Sequence, residues 1–437
     1  MDGEENLETN NTTVVAVLPI GEFDTDLVKK EFDAIIRAFE QPDIHLIVSN
    51  PVSNKDSARQ SLQVLSKKQP DLLLAVVLRG LSAETIEAAV LAGHLPCLIC
   101  PVQGRFALPS STLAMGALRE ARIPVELLYA PPDYPDFTDR RVRIVSAARA
   151  FSRLKKSRIG VIGDLFPNLV SCRYDAQVVN TRLGVTLLPI TFESVRDSMR
   201  PNEESSKAIK QTYQKIAGSY RVETGDVNAL DAGIRLHNAM KKLALEQTLD
   251  GFATECWSGF PREIGLNPCL GFIEDAYALA CEGDVMLCIS LLIVRYLTDS
   301  STFVGDLYDV DLDGILTLTH CGAPASLASK KGELVLGKSQ LARERGFETL
   351  TCRPRLEPGP VTVFRFYGQA CDRLHLASGE LVSCEQSPDL TVKVRINSDR
   401  WDFLDQCFGN HYLVVPGDIR PALKLLCKWL EITIIET

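Results

Sequence analysis

Cys281–Asp311 reads CEGDVMLCISLLIVRYLTDSSTFVGDLYDVD, and two textures meet inside it. From Val285 to Val294 the apolar residues run almost unbroken, the pattern of a buried helix. After about residue 310 the chain turns to short alternating runs punctuated by Gly and Pro, the pattern of antiparallel strands. Carboxylates bracket the apolar run: Glu282 and Asp284 stand before it, and Asp306, Asp309 and Asp311 follow. Buried or half-buried carboxylates are costly unless something positive meets them.

Upstream, TVVAVLPIG, IHLIVSN, DLLLAVVL, PCLICPV and PVELLYA read as strands. The intervening segments 24–41, 55–69, 82–93 and 110–121 carry apolar residues at helical spacing. Near-continuous apolar strands alternating with helices imply a parallel sheet covered on both faces. A basic helical pattern from Thr138 to Ser157 leads into RIGVIG, and the alternation restarts with GVTLLPI and GFATECW between helical segments at 205–218 and 230–248. Downstream, GILTLTHCG, GELVLG, GPVTVFRFYG, RLHLASGELVSC, TVKVRIN and NHYLVVPGDI read as strands, followed by a helix over 420–430. The expected fold is two doubly wound parallel-sheet α/β domains, 1–155 and 156–307, followed by a mainly antiparallel β-rich C-terminal domain, 308–437.

The chain has 437 residues, enough for about three domains at roughly one per 150 residues. A net charge of −9 argues against nucleic acid or an anionic membrane as partner, because both need a basic face. The start, MDGEENLETNNTT, is acidic and polar and lacks the features of a secretory signal. The apolar run from Val285 to Val294 is too short to span a bilayer. A cytoplasmic protein is expected, and the 13 cysteines fit reduced thiols there. Cys97 and Cys100 form a C-x-x-C inside a strand-like run with no second pair, so they read as buried strand residues.

RIGVIGDLFPN is not a dinucleotide fingerprint and no phosphate loop occurs, so no nucleotide site is expected. YDVDLDGILTL lacks the later glutamate of a calcium loop and reads as a solvated turn. There is no G-x-S-x-G elbow. Of the histidines, His45, His94 and His237 read as structural, whereas His320 in LTHCGAP and His411 in GNHYLVVPGD sit at strand edges beside Gly, where a side chain can enter a cleft. Glu282 stands before the helix, whose N-terminus favours an anion, and Asp306 ends the strand-like STFVGD. One helix out and one strand back can bring these acids together. With an imidazole they would make a mixed oxygen and nitrogen site suited to a divalent ion such as Mn²⁺. On spacing alone a second reading stands beside it: Glu282 or Asp284 caps the helix and Asp306 closes a turn.

At these residues the chain resembles the L-fucose isomerase family and, more loosely, the L-arabinose isomerases. The resemblance lies in ATECWSGF, ACEGDV, FVGDLYDVD, LTHCGAP and GNHYLVVPGD, in that order, over roughly residues 250 to 420. It implies a three-domain aldose–ketose isomerase that uses one divalent metal, usually Mn²⁺, and assembles as a homo-oligomer. Glu282 matches the family glutamate that binds metal and transfers a proton, Asp306 its acidic partner, and His411 the histidine ligand. His320 is expected as a pocket residue or an additional ligand, and Trp257 as an apolar wall to the sugar. Asp284 is expected to act as a helix cap only. Fucose, arabinose, other deoxy sugars and sulfoquinovose all stand open as substrates. The alternatives are another metal-dependent sugar epimerase or aldolase using the same acids, and a non-catalytic sugar sensor.

Overall fold

The computed structural model describes residues 12–200, 207, 211, 214, 221–222, 227–328, 333–344, 346 and 349–437. The chain divides into two compact units. One is built from the described residues of Asn10–Lys155 and Pro421–Glu431, the other from those of Lys156–Arg420 and Ile432–Thr437.

The first unit is a parallel sheet of β1 (Thr13–Ile20), β2 (Ile44–Val48), β3 (Leu72–Val77), β4 (Cys97–Pro101) and β5 (Val125–Leu127), in the order β2-β1-β3-β4-β5. Helices connect the strands, as the alternation predicts. All of LLLAVV in β3 is buried, which a strand achieves only when both faces of its sheet are covered. Helix Asp26–Phe39 buries Val28, Phe32, Ile35 and Phe39 along one stripe, and Thr25 caps it by accepting from the Val28 N–H. Cys97 and Cys100 are buried in β4, as expected of strand residues.

In the second unit β6 (Arg158–Ile162), β7 (Thr186–Ile190), β9 (Gly251–Thr254) and β10 (Ala278–Ala280) form a parallel sheet in the order β10-β9-β6-β7. The helix expected over 205–218 lies outside the described residues apart from 207, 211 and 214. The chain then builds an antiparallel ring. Strands β15 (Gly359–Tyr367), β18 (His411–Pro416), β11 (Phe303–Val310), β12 (Ile315–His320), β17 (Leu390–Ile396) and β16 (Arg373–Glu385) pair in that order, and β15 pairs back onto β16 to close a barrel. Phe303, Leu316, Leu318, Val363, Val392, Val394, Tyr412 and Val414 belong to one apolar cluster within it. Strand β19 (Thr433–Glu436) adds to β16 in parallel. The GELVLG run forms β13 (Leu334–Lys338), which pairs with β14 (Leu350–Pro354) and β8 (Arg221–Val222) in a small separate sheet.

Helix Val285–Thr298 contacts β9 and β10 on one side and β15 and β18 on the other. It is therefore buried nearly all round, from Val285 and Met286 to Tyr296 and Leu297. This placement explains why the segment is so apolar, and it carries the carboxylates at its N-terminus into the space between sheet and barrel.

Candidate metal centre

Cys281–Gly283 leave the carboxyl end of β10, where ligands gather in open parallel sheets. Glu282 has φ +60° and Gly283 φ +73°, so two successive residues take the left-handed conformation. For a glutamate that costs on the order of 1–3 kcal/mol and persists only where surroundings enforce it. Here the Glu282 N–H donates to Cys256 Sγ at 3.3 Å, the Glu282 carbonyl accepts from Phe166 N–H at 2.9 Å, and the Gly283 N–H donates to the Thr254 carbonyl at 2.9 Å. A Cβ at Gly283 would collide with the Asp164 carbonyl and lie 2.8 Å from Leu165 Cα, so only glycine lets the turn close.

Asp306 reaches the same place from the barrel. The sequence reading put it at the end of its strand, but β11 continues to Val310 and Asp306 lies mid-strand. It stands directly opposite His411 of β18 in the antiparallel register, which sets their side chains on one face. The structure thus brings together the three residues expected from sequence. His411 Nε2 lies 3.5 Å from Asp306 Oδ1 and 3.8 Å from Glu282 Oε2. That Nε2 is buried and makes no hydrogen bond. His320 and Trp257 line the small cavity that also holds Glu282 and Asp306, together with Asn267, Cys256 and Cys321. The His320 ring centroid is 6.4 Å from that of His411, and the Trp257 ring packs on Phe166 at 4.6 Å.

Asp284 corrects the sequence reading. It does cap the helix, its Oδ1 accepting from Leu287 N–H at 3.0 Å. Its other oxygen accepts from His411 Nδ1–H at 3.0 Å and lies 3.7 Å from Arg365 Nη2. Burial raises the Asp284 carboxyl, but the His411 hydrogen bond and the Arg365 charge outweigh it and bring the pKa down to about 2. Burial likewise pushes His411 down, whereas its hydrogen bond to Asp284, the neighbouring Cys172 thiol and the charges of Asp284 and Asp306 carry it up to about 10. Negative potential converges on this imidazole.

Sequence reasoning missed four contributors. Arg365 donates to the His411 carbonyl at 2.7 Å and to Cys172 Sγ at 3.0 Å, and Asn410 Nδ2 donates to Asp306 Oδ1. Asp284 was read as a cap alone. Cys172, Asp284 and His411 offer ligand atoms all within 4.8 Å of one another, a grouping able to hold a metal ion. The signal for Arg365 was present as the lone charge inside the apolar run VFRFY, and Asn410 sits beside His411 in the quoted motif. Cys172 carried none.

His237 is buried, with Nδ1 3.2 Å from the Tyr277 hydroxyl, and His94 terminates a helix in the left-handed conformation. His45 is exposed on β2. The DLDG segment is a solvated turn in which Asp311 accepts from the N–H groups of Asp313 and Ile315. Among the described residues no helix is long and apolar enough to cross a membrane.

No protein-family model matches the chain. It is similar to proteins named sulfoquinovose isomerase from Priestia aryabhattai and Priestia megaterium, each 25% identical over 348 residues that cover 76% of both chains. A protein of the same name from Clostridium sp. is 25% identical over 339 residues, 74% of each chain. A solved ABC-transporter solute-binding protein from Burkholderia multivorans aligns with 66% of this chain and 95% of its own at 10% identity; its TM-score of 0.20 is too low to carry an argument.

Proposed function

We propose that the protein is an aldose–ketose isomerase of the L-fucose isomerase type, acting on a monosaccharide at a divalent ion held by Glu282, Asp306 and His411 Nε2. The observation that carries this reading is the buried His411 Nε2, which has no hydrogen-bond partner and faces two carboxylates at 3.5 and 3.8 Å. Two carboxylates and an imidazole suit a hard or borderline ion, Mn²⁺ above all. In the alternative grouping of Cys172, Asp284 and His411, Asp284 already serves the helix N-terminus and His411 Nδ1, and Cys172 accepts from Arg365. We therefore assign Asp284 and Arg365 to orientation and the Nε2 side to the ion. The Asp284 carboxylate holds the proton on Nδ1, so that the Nε2 proton is the one an ion would displace on binding.

A divalent ion held by Glu282, Asp306 and His411 would supply positive charge to offset the negative charge that develops on the sugar when a proton leaves C2. Glu282, held by its strained turn, takes that proton as base and returns it to C1. Asp306, held in place by the Asn410 amide, moves a proton between the two oxygens. His320 and Trp257 border the sugar's space. The names of the relatives support a sugar substrate and bring sulfoquinovose to the front of the candidates, and the free thiols of all 13 cysteines suit the cytosol. The resemblance also implies a homo-oligomer, which light scattering checks.

The test is metal analysis of the purified protein together with an aldose screen that includes sulfoquinovose and L-fucose. Near-stoichiometric metal with ketose formation is expected. Metal-free protein that stays inert on every aldose after Mn²⁺ addition rules the reading out.

A further inference from the structure

Helix Val285–Thr298 is buried from Val285 to Leu297 except at two residues, Leu291 and Arg295. Both line a cavity of about 440 Å³, against about 20 Å³ for the one that holds Glu282 and Asp306, and neither of those acids lines it. The larger cavity lies wholly within the second compact unit. Leu287, Leu291, Arg295 and Asp299 recur every four residues, so they form one stripe along its wall, about 18 Å from first to last. The stripe passes from apolar to charged.

Leu279, Val304 and Leu327 complete the apolar wall begun by Leu287 and Leu291. Cys281 and His320 also border the small cavity and so mark the inner end, where His320 Nδ1 is buried without a hydrogen-bond partner. At the mouth Ser326 Oγ donates to Ser301 Oγ at 2.9 Å, and Ser301 Oγ donates to Asp275 Oδ1 at 2.8 Å. Arg295 Nη2 donates to the Asp275 backbone carbonyl at 2.6 Å. Glu274 also lines the cavity, but Lys241 lies 2.9 Å from it and offsets its charge. Among the described residues neither Asp275 nor Asp299 has an ion-pair partner. Two carboxylates against one guanidinium, with the helix C-terminus ending at Asp299, leave the mouth negative.

We propose that this cavity is a binding site for a small organic amine, its apolar body against the leucines and its ammonium at the mouth with Asp275 and Asp299. An apolar cavity of about 150 Å³ holds benzene, so about three times that volume takes a body of one or two rings. An anionic molecule, a sulfonated sugar included, meets like charge at the mouth, which separates this site from the candidate metal centre.

The probes are three indoles of one shape and different charge: tryptamine, tryptophol and indole-3-propionate, titrated into the purified full-length protein and followed by ligand-observed NMR. Tryptamine should saturate with a dissociation constant of about 1 mM or tighter, tryptophol should bind more weakly, and indole-3-propionate should not bind. Asp299 is exposed and left-handed at the helix end, a conformation Asn also accepts, so Asp299→Asn keeps the fold. It should weaken tryptamine about five-fold and leave tryptophol unchanged. Leu291→Trp fills the cavity and should abolish binding of both, whereas Glu282→Gln should leave tryptamine binding intact. The proposal fails if tryptamine does not saturate, if indole-3-propionate binds as tightly, if Asp299→Asn has no effect on tryptamine, or if Glu282→Gln abolishes binding and so places the amine at the candidate metal centre. The wild-type series and Asp299→Asn decide even if Leu291→Trp misfolds. Amine binding is read without turnover, so the outcome is separate from the isomerase reading.

Discussion

Asp284 serves two masters with its two oxygens, one on the Leu287 N–H and one on His411. Asn at this position still caps, so a purely capping residue would lose at most about 1 kcal/mol. It would leave the Arg365 guanidinium without its buried counter-charge, however, and breaking such a pair typically costs about 3 kcal/mol or more. Asp284→Asn is therefore expected to lower the thermal midpoint by many degrees and to weaken metal binding about 10–100-fold, as loss of a ligand's orienting partner does. Thermal melts and Mn²⁺ titration measure both, and near wild-type stability would return Asp284 to capping alone. Glu282→Gln should behave oppositely. The Glu282 side chain retains some exposure, so the fold should survive while isomerisation on the active aldose falls by about 10² or more. Normal turnover in that variant with metal bound would exclude Glu282 as the base.

At the scale of elements, the turn between β10 and helix Val285–Thr298 is tightly constrained backbone. Gly283→Ala must bear both a left-handed φ and a collision with Asp164, and should lose well over 2 kcal/mol in urea unfolding. Gly265→Ala is the control: its φ is +87° but no atom lies within 4 Å of the added Cβ, so about 1 kcal/mol is expected. Equal losses in the two variants would show that the Gly283 contact is soft. The helices and most strands were legible in the sequence because apolar period is a local property: Val285 to Val294 announced a buried helix, and LLLAVV a covered strand. The closure of β15 onto β16 and the pairing of Asp306 with His411 were not, since register between distant strands leaves no local mark. For the same reason the expected end of β11 at Asp306 fell short, the hairpin turn being set further on by Asp311. Motif residues found Glu282, Asp306 and His411, whereas Cys172 and Arg365 enter the site only through tertiary packing.

Taken as a whole, the unit that carries the site should be acid-sensitive from a pH well above the carboxylate range. His375 is fully buried in the barrel, with Nδ1 2.8 Å from the Tyr412 hydroxyl and Nε2 3.1 Å from Thr437 Oγ1, and burial pushes its pKa down to about 4. The unfolded chain takes up this proton near the ordinary histidine value of about 6.5, while the folded chain refuses it until about 4. Between those values the unfolded state binds more protons, so this contribution to stability is full above about 6.5 and declines as pH falls, by at most about 3 kcal/mol over the window. Glu274 adds to the loss lower down. The His237 hydrogen bond, opposed by burial and reinforced by Lys241, holds its carboxyl well below the usual range, so its contribution is present above about 4.5 and disappears on further acidification. Urea midpoints measured from pH 8 to 4 should therefore rise toward about 6.5, where the raised His411 favours the folded chain fully, and then fall, with a steeper fall below about 4.5. In His375→Gln the first decline should flatten while the second persists, because the amide keeps a polar partner for Tyr412 without a proton to gain. A wild-type midpoint that stays level down to pH 5, or an unchanged slope in the variant, would place the acid sensitivity elsewhere than His375.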